Sequence, residues 1–185
     1  MKDVEVKIEL KDNVSPRFCK ARPVPYAIRE EVEREIERLV EQGIYEPVKY
    51  SDWACPIVPV RKDNGEIKVC GDYKQTIKPR TKCDTYPVPK TEDLLAALNG
   101  GQKFSKIDLK KAYMQLCLEE KSREYLTVNT HKGLFRPTRM MFGLHSAAGV
   151  FQREIEERLS GIPGVVVRSD DILVTGVNDA DHLRN

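Results

Sequence analysis

The sequence predicts an α+β fold, because amphipathic helices and β-hairpins are interleaved without the regular strand–helix–strand rhythm of a parallel sheet. Three stretches carry that expectation. Residues 27–43, AIREEVEREIERLVEQG, repeat apolar side chains at helical spacing. Residues 53–73, WACPIVPVRKDNGEIKVCGDY, read as two short strands around a turn at Asp63, Asn64 and Gly65. Residues 165–176, VVVRSDDILVTG, set two adjacent carboxylates between two apolar runs, a pattern of strand, tight turn and strand. At 185 residues, 40% hydrophobic and 32% charged, the chain suits one ordinary globular domain or one domain with two subregions.

Taken in order, residues 1–25 form an extended lead-in, since Pro16, Pro23 and Pro25 prevent a long helix. The helix that follows places Ile28, Val32, Ile36, Leu39 and Val40 on one face, and Gly43 supplies its stop. After the basic-tipped hairpin, the connector TYPVPK leads to a short helix. Thr91 is its expected N-cap, Leu94, Leu95 and Leu98 its apolar side, and Gly100 and Gly101 its end. FSKIDL reads as a buried strand with Asp108 near its end, and KKAYMQL turns away from it. A second hairpin is expected from EYLTVNT, a turn through His131, Lys132 and Gly133, and LFRPTRM. Residues 146–159 complete a helix carrying Ala147, Ala148, Phe151, Ile155 and Leu159 on its apolar face, closed by Pro163 and Gly164.

Composition narrows the function classes. The opening MKDVEVKIEL has no apolar core of signal-peptide length, and no stretch approaches the 18 or so apolar residues of a membrane helix, so a soluble, intracellular protein with no membrane partner is expected. Five cysteines at wide, irregular spacing and without a CxxC pair fit neither a metal finger nor a disulfide framework, and are expected to be reduced and mostly buried. Net charge is only +2, but residues 29–46 hold seven Glu against three Arg, while residues 61–90 hold eight Lys/Arg against four Asp/Glu. Two solvated faces explain this more simply than a phosphate-facing surface does.

The chemistry lies in the carboxylates. Asp is an ordinary turn residue, so SDD alone says little. Yet the runs VVV and ILV predict strands buried on both faces, and Asp108 closes another strand of the same kind. Should the strands be neighbours, Asp108, Asp170 and Asp171 would converge and repel unless a cation relieves them. Hard oxygen donors without His or Cys favour Mg²⁺ or Mn²⁺ over zinc. Two such ions about 4 Å apart serve in-line phosphoryl displacement, which leaves nucleotidyl transfer and phosphodiester cleavage both open.

FSKIDLKKAY, NTHKGLFRPTRMMFGLHSAAGVFQ and RSDDILVTG, in this order and spacing, resemble the reverse transcriptase of gypsy-type long-terminal-repeat retrotransposons, and the likeness runs upstream to about Pro25. The resemblance implies a right-hand polymerase fold: fingers over 26–81 and 116–146, palm over 82–115 and a truncated 147–185, thumb absent. It implies an RNA-directed DNA polymerase that adds dNTPs to a primer 3′-OH with two Mg²⁺ ions, Mn²⁺ being an alternative. Asp108 and Asp170 match the metal-binding aspartates, with Asp171 the neighbouring acid. Tyr113 matches the aromatic under the incoming sugar, Arg61 and Lys68 the cations that hold its triphosphate, Phe142 and Gly143 the segment touching sugar and template, and Gln152 the residue after the palm-helix phenylalanine, grouped with the nucleotide-binding residues. Implied partners are a primed RNA or DNA template and dNTPs, with thumb and ribonuclease H regions downstream in a full Pol polyprotein and virus-like particles in the parent element.

Some positions depart from that pattern. Arg168 stands where the family usually has tyrosine, Ile67 and Lys68 where it has arginine, often after tryptophan, and His145, Ala148 and Gly149 replace its usual small residue, proline and alanine. Lysine keeps the charge at 68 and loses the bidentate fork. Beside the polymerase stand two other readings: a silent retroelement remnant that only binds nucleic acid, and a small metal-dependent nuclease.

Overall fold

The computed structural model describes residues 4–82, 86–144 and 147–185. In chain order its elements are β1 (Glu5–Val6), α1 (Tyr26–Glu41), β2 (Tyr45–Val48), β3 (Cys55–Arg61), β4 (Ile67–Gly71), α2 (Thr91–Ala97), β5 (Lys103–Asp108), β6 (Cys117–Leu118), α3 (Glu120–Tyr125), β7 (Val128–Thr130), β8 (Gly133–Pro137), α4 (Ala147–Leu159), β9 (Val165–Arg168), β10 (Asp171–Gly176) and α5 (Asp179–Arg184). They form two compact units, Met1–Cys83 with Tyr113–Ala147, and Asp84–Ala112 with Ala148–Asn185.

In the first unit a five-stranded sheet runs β2-β8-β7-β3-β4, and the extended lead-in adds β1 in parallel to β6. Helix α1 seals this unit with Val32, Ile36 and Leu39, none more than 1% exposed. Its stop is chemical: Gly43 takes φ +63°, its N–H donates to Val40 O, and the Ile44 N–H donates to Leu39 O, both at 2.9 Å. The β3–β4 hairpin forms where the alternation and the Asp63–Gly65 turn place it, with Ile57, Ile67 and Val69 buried. The second hairpin is shorter than expected, because residues 120–125 are helical. A tertiary and a local tie hold that helix: the Ser122 hydroxyl accepts from the distant Ile8 N–H, and Arg123 Nε donates to Leu118 O just upstream. Local β-propensity at Tyr125 yields to them.

The second unit is a three-stranded antiparallel sheet, β5-β10-β9, with α2, α4 and α5. Helix α4 buries Val150, Phe151 and Ile155. Three expectations change here. Strand β5 is not buried: it is an edge strand with all six residues exposed, Phe104 at 60% and Ile107 at 48%. Strands β9 and β10 are buried more deeply on one face than on the other, for Val167, Ile172 and Val174 share the buried face, while on the opposite face Val166 and Leu173 are half-buried and Thr175 alone of the strand side chains is buried. Finally, the N-cap of α2 is Lys90, whose N–H donates to the Asp93 carboxylate at 3.0 Å, and Thr91 is the first helical residue.

The cysteines are free as expected but less buried than expected: among the described residues Cys55 is buried, its thiol pushed well up by burial, while Cys19, Cys70 and Cys117 are half-buried. Cys83 lies outside the described residues. Among the described residues no helix is long and apolar enough to cross a membrane. Because Ile36 is 1% exposed at the centre of the α1 contact, Ile36→Ala is expected to cost about 2–5 kcal/mol in urea unfolding. A loss under about 0.5 kcal/mol, the surface range, would contradict this packing.

Candidate active site

Antiparallel pairing of β5 with β10 sets Asp171 directly opposite Asp108. Directly opposed residues share a sheet face, so two of the three expected carboxylates stand side by side. The third, Asp170, lies in the turn between β9 and β10, where its carbonyl accepts the Leu109 N–H at 3.0 Å. Lys106, two residues before Asp108 and on the same face, reaches diagonally to Asp171, with Nζ 2.8 Å from Oδ2. The Asp171 carboxylate, with the Asp108 and Asp170 charges behind it, holds the Lys106 ammonium above the usual lysine range. Lys106 was not foreseen, although the spacing K-x-D on one strand contained it.

The turn is strained. Ser169 and Asp170 form a two-residue hairpin loop between Arg168 and Asp171, which are paired across the ladder. Ser169 takes φ +54°, a conformation such loops assign to glycine, asparagine or aspartate. Gln152, fully buried on α4, holds it there: Oε1 accepts the Ser169 N–H at 2.7 Å, and Nε2 donates to Val167 O at 2.8 Å and to Glu156 Oε1 at 2.6 Å. In this structure Gln152 thus spends its amide on the carboxylate turn. Arg168 Nη1 donates to Thr91 Oγ1 at 2.9 Å.

The remaining predicted residues belong to the first unit. Tyr113 meets Phe142 edge to face, with centroids 5.1 Å apart, and Lys68 Nζ sits 3.1 Å from the centroid of the Phe142 ring. Burial pushes the Lys68 ammonium below the usual lysine range. Gly143 follows at φ +95°, turning the chain beside Gly71 and Tyr73. Arg61 does not join this cluster. The register pairs Val60 with Lys68 and Arg61 with Ile67, so Arg61 and Lys68 leave opposite faces of the hairpin. Arg61 instead donates to Glu31 of α1 at 2.9 Å and to Gly65 O at 2.7 Å.

A family model described as "Reverse transcriptase (RNA-dependent DNA polymerase)" matches residues 62–185, well over half of the chain. The chain belongs to the reverse transcriptase family. Its reverse transcriptase sequence is 33% identical over 192 residues to the retrovirus-related Pol polyprotein from transposon opus of Drosophila melanogaster, covering 99% of this chain and 19% of that polyprotein. It therefore spans about a fifth of the length of that relative. The native prototype foamy virus protease-reverse transcriptase superposes with a TM-score of 0.82 at 20% identity, over 93% of this chain and 23% of that one. A foamy viral protease-reverse transcriptase in complex with RNA/DNA hybrid superposes at 0.79, again at 20% identity and with the same coverage. The α+β chain thus has the reverse transcriptase polymerase fold.

Reverse transcriptases are metal-dependent, and the donor set here suits a hard divalent cation, being carboxylate oxygen only. Among the described residues no three His, Cys, Asp or Glu are gathered closely enough to hold an ion. Asp108 and Asp171 face each other across the sheet, while Lys106 supplies Asp171 with a positive charge. Replacing Ser169 with glycine removes the side-chain cost of its positive φ and is expected to raise stability by up to about 1 kcal/mol in chemical denaturation. Destabilisation instead would show that the serine side chain, rather than the backbone, holds the turn.

Proposed function

We infer that this chain is the fingers and palm of an RNA-directed DNA polymerase, adding dNTPs to a primer 3′-OH on an RNA or DNA template. The observation that carries the reading is the opposition of Asp108 and Asp171 across β5 and β10, with Asp170 in the adjoining turn, in a chain of the reverse transcriptase family. Fingers correspond to the first unit and palm to the second. Asp108, Asp170 and Asp171 would hold two Mg²⁺ ions, or Mn²⁺, which when bound stabilise charge on the attacking and leaving oxygens. In the fingers, Lys68 is a cation for the triphosphate, freed from the Phe142 ring when a phosphate competes for it. Tyr113 and Phe142 together present an aromatic wall to the incoming sugar, and Gly143 lets the backbone approach closely. Arg61 serves this chemistry only by leaving Glu31, so its contribution is the smaller of the two cations.

A second reading is favoured by one observation, the ion pair by which Lys106 occupies Asp171. On that reading the chain binds nucleic acid through its basic fingers without extending a primer. The relatives' polyproteins are far longer than this chain, and thumb and ribonuclease H regions belong to the proposed whole. The same reading places the parent protein inside the cell.

Primer extension on an RNA template with Mg²⁺ separates the two readings. Asp108→Asn and Asp170→Asn are each expected to cut the extension rate by about 1000-fold or more, several kcal/mol of lost charge stabilisation. Extension that survives both changes would exclude this site. Salt-sensitive binding without extension by the unaltered chain would select the second reading.

A further inference from the structure

The segment Tyr86–Thr91 reaches the carboxylate turn by two independent polar routes. On one, the Tyr86 hydroxyl donates to Glu156 Oε2, the other oxygen of that carboxylate accepts from Gln152 Nε2 at 2.6 Å, and Gln152 grips the Ser169 N–H and the Val167 carbonyl. On the other, Thr91 Oγ1 accepts from Arg168 Nη1 at 2.9 Å, at the residue preceding the turn. Apolar packing fixes β9 through the buried Val167, beside an open cleft of about 320 Å³ walled by Leu94, Leu159 and Val165–Val167, while the polar routes reach the turn itself. The strained Ser169 therefore depends on directional contacts. The hydrogen bond to Glu156 pushes the Tyr86 phenol above its usual range.

We propose that Tyr86, Glu156 and Gln152 on one route, and Thr91 with Arg168 on the other, form a positioning brace that sets the carboxylate turn for nucleotidyl transfer. Gln152 then acts on the turn and not on the nucleotide. Arg168, the departure from the family's tyrosine, becomes the residue through which Thr91 holds the end of β9. The proposal rests on the polymerase reading for its kinetic consequence and on the hydrogen bonds alone for its structural one.

The test compares the unaltered chain with Tyr86→Phe, Thr91→Val, Gln152→Met and the exchange Gln152→Glu with Glu156→Gln. Three quantities are read: hydrogen exchange at the Ser169 amide, Mn²⁺ affinity, and kcat and KM for dNTP in primer extension. Tyr86→Phe and Thr91→Val each keep the side-chain shape and are expected to speed Ser169 exchange, weaken Mn²⁺ binding and lower kcat by roughly five-fold, the worth of one hydrogen bond, with KM for dNTP unchanged. Gln152→Met is expected to act in the same direction and more strongly, and the exchange to restore part of the loss, since an amide and a carboxylate again face one another. Unchanged Ser169 exchange in Tyr86→Phe and Thr91→Val overturns the brace. So does a Gln152→Met effect confined to the KM for dNTP, which would mark a nucleotide contact. If Gln152→Met fails to fold, the other two substitutions decide. If the unaltered chain extends no primer, the polymerase reading fails, while amide exchange and Mn²⁺ affinity still judge the brace.

Discussion

The register of β5 against β10 is the constraint on which the rest of the candidate site depends. Side chains alternate with a period of two, so pairing Asp171 with Asp108 decides at once which groups share their face. Lys106 then lies within diagonal reach of Asp171, and Arg168, opposite Asp171 on the other side, comes to the start of the turn. A slip of one residue would turn Asp108 to the far face and bring Ile107 or Leu109 opposite Asp171. The apolar residues enforce the register from the other side of the sheet, since Val167, Ile172 and Val174 are buried only in this alignment. Burial on one face thus positions charge on the other.

Holding like charges at the end of a sheet has a local cost, and the molecule meets it with neighbouring polar groups rather than with depth. Asp108 and Asp170 remain exposed, where water screens their repulsion, and Lys106 neutralises part of the charge on Asp171. Backbone strain at Ser169 is answered by a buried amide whose oxygen and nitrogen are both satisfied. In the first unit a different balance applies: Lys68 rests on the face of Phe142, an attraction that a more strongly charged ligand can outbid. Lys106 in one unit and Lys68 in the other are thus both engaged by internal partners.

Much of this was legible in the amino-acid order where the determinants are local. Helix α1 follows from its apolar spacing and Gly43, and the β3–β4 hairpin from alternation around Asp63–Gly65. The carboxylates of the candidate site were legible from the apolar runs around them and from the family resemblance. What escaped depends on long-range placement. FSKID has the look of an interior strand, yet nothing in its composition states that it will lie at a sheet edge. The helix at Glu120–Tyr125 is held by Ile8, more than a hundred residues away, which no local window contains. Arg61 and Lys68 seemed partners because both are basic and near in sequence; counting alternation across the turn would have separated them. The hydrogen bonds of Gln152 to Ser169 and Val167 join α4 to the turn across 15 to 17 residues, which no local pattern states.

Strand β5 carries a consequence for handling the molecule. Among the described residues it pairs only with β10, and its six exposed residues include Phe104 and Ile107. An open hydrogen-bonding edge with apolar side chains is a template for sheet extension between molecules. Lys103, Lys106 and Asp108 are the charges on β5 that oppose such stacking, and the two lysines are engaged in ion pairs, with Asp179 and Asp171. Solubility of the chain therefore draws on the same lysine that sits beside the carboxylates, and removing that charge exposes the sheet edge to self-association.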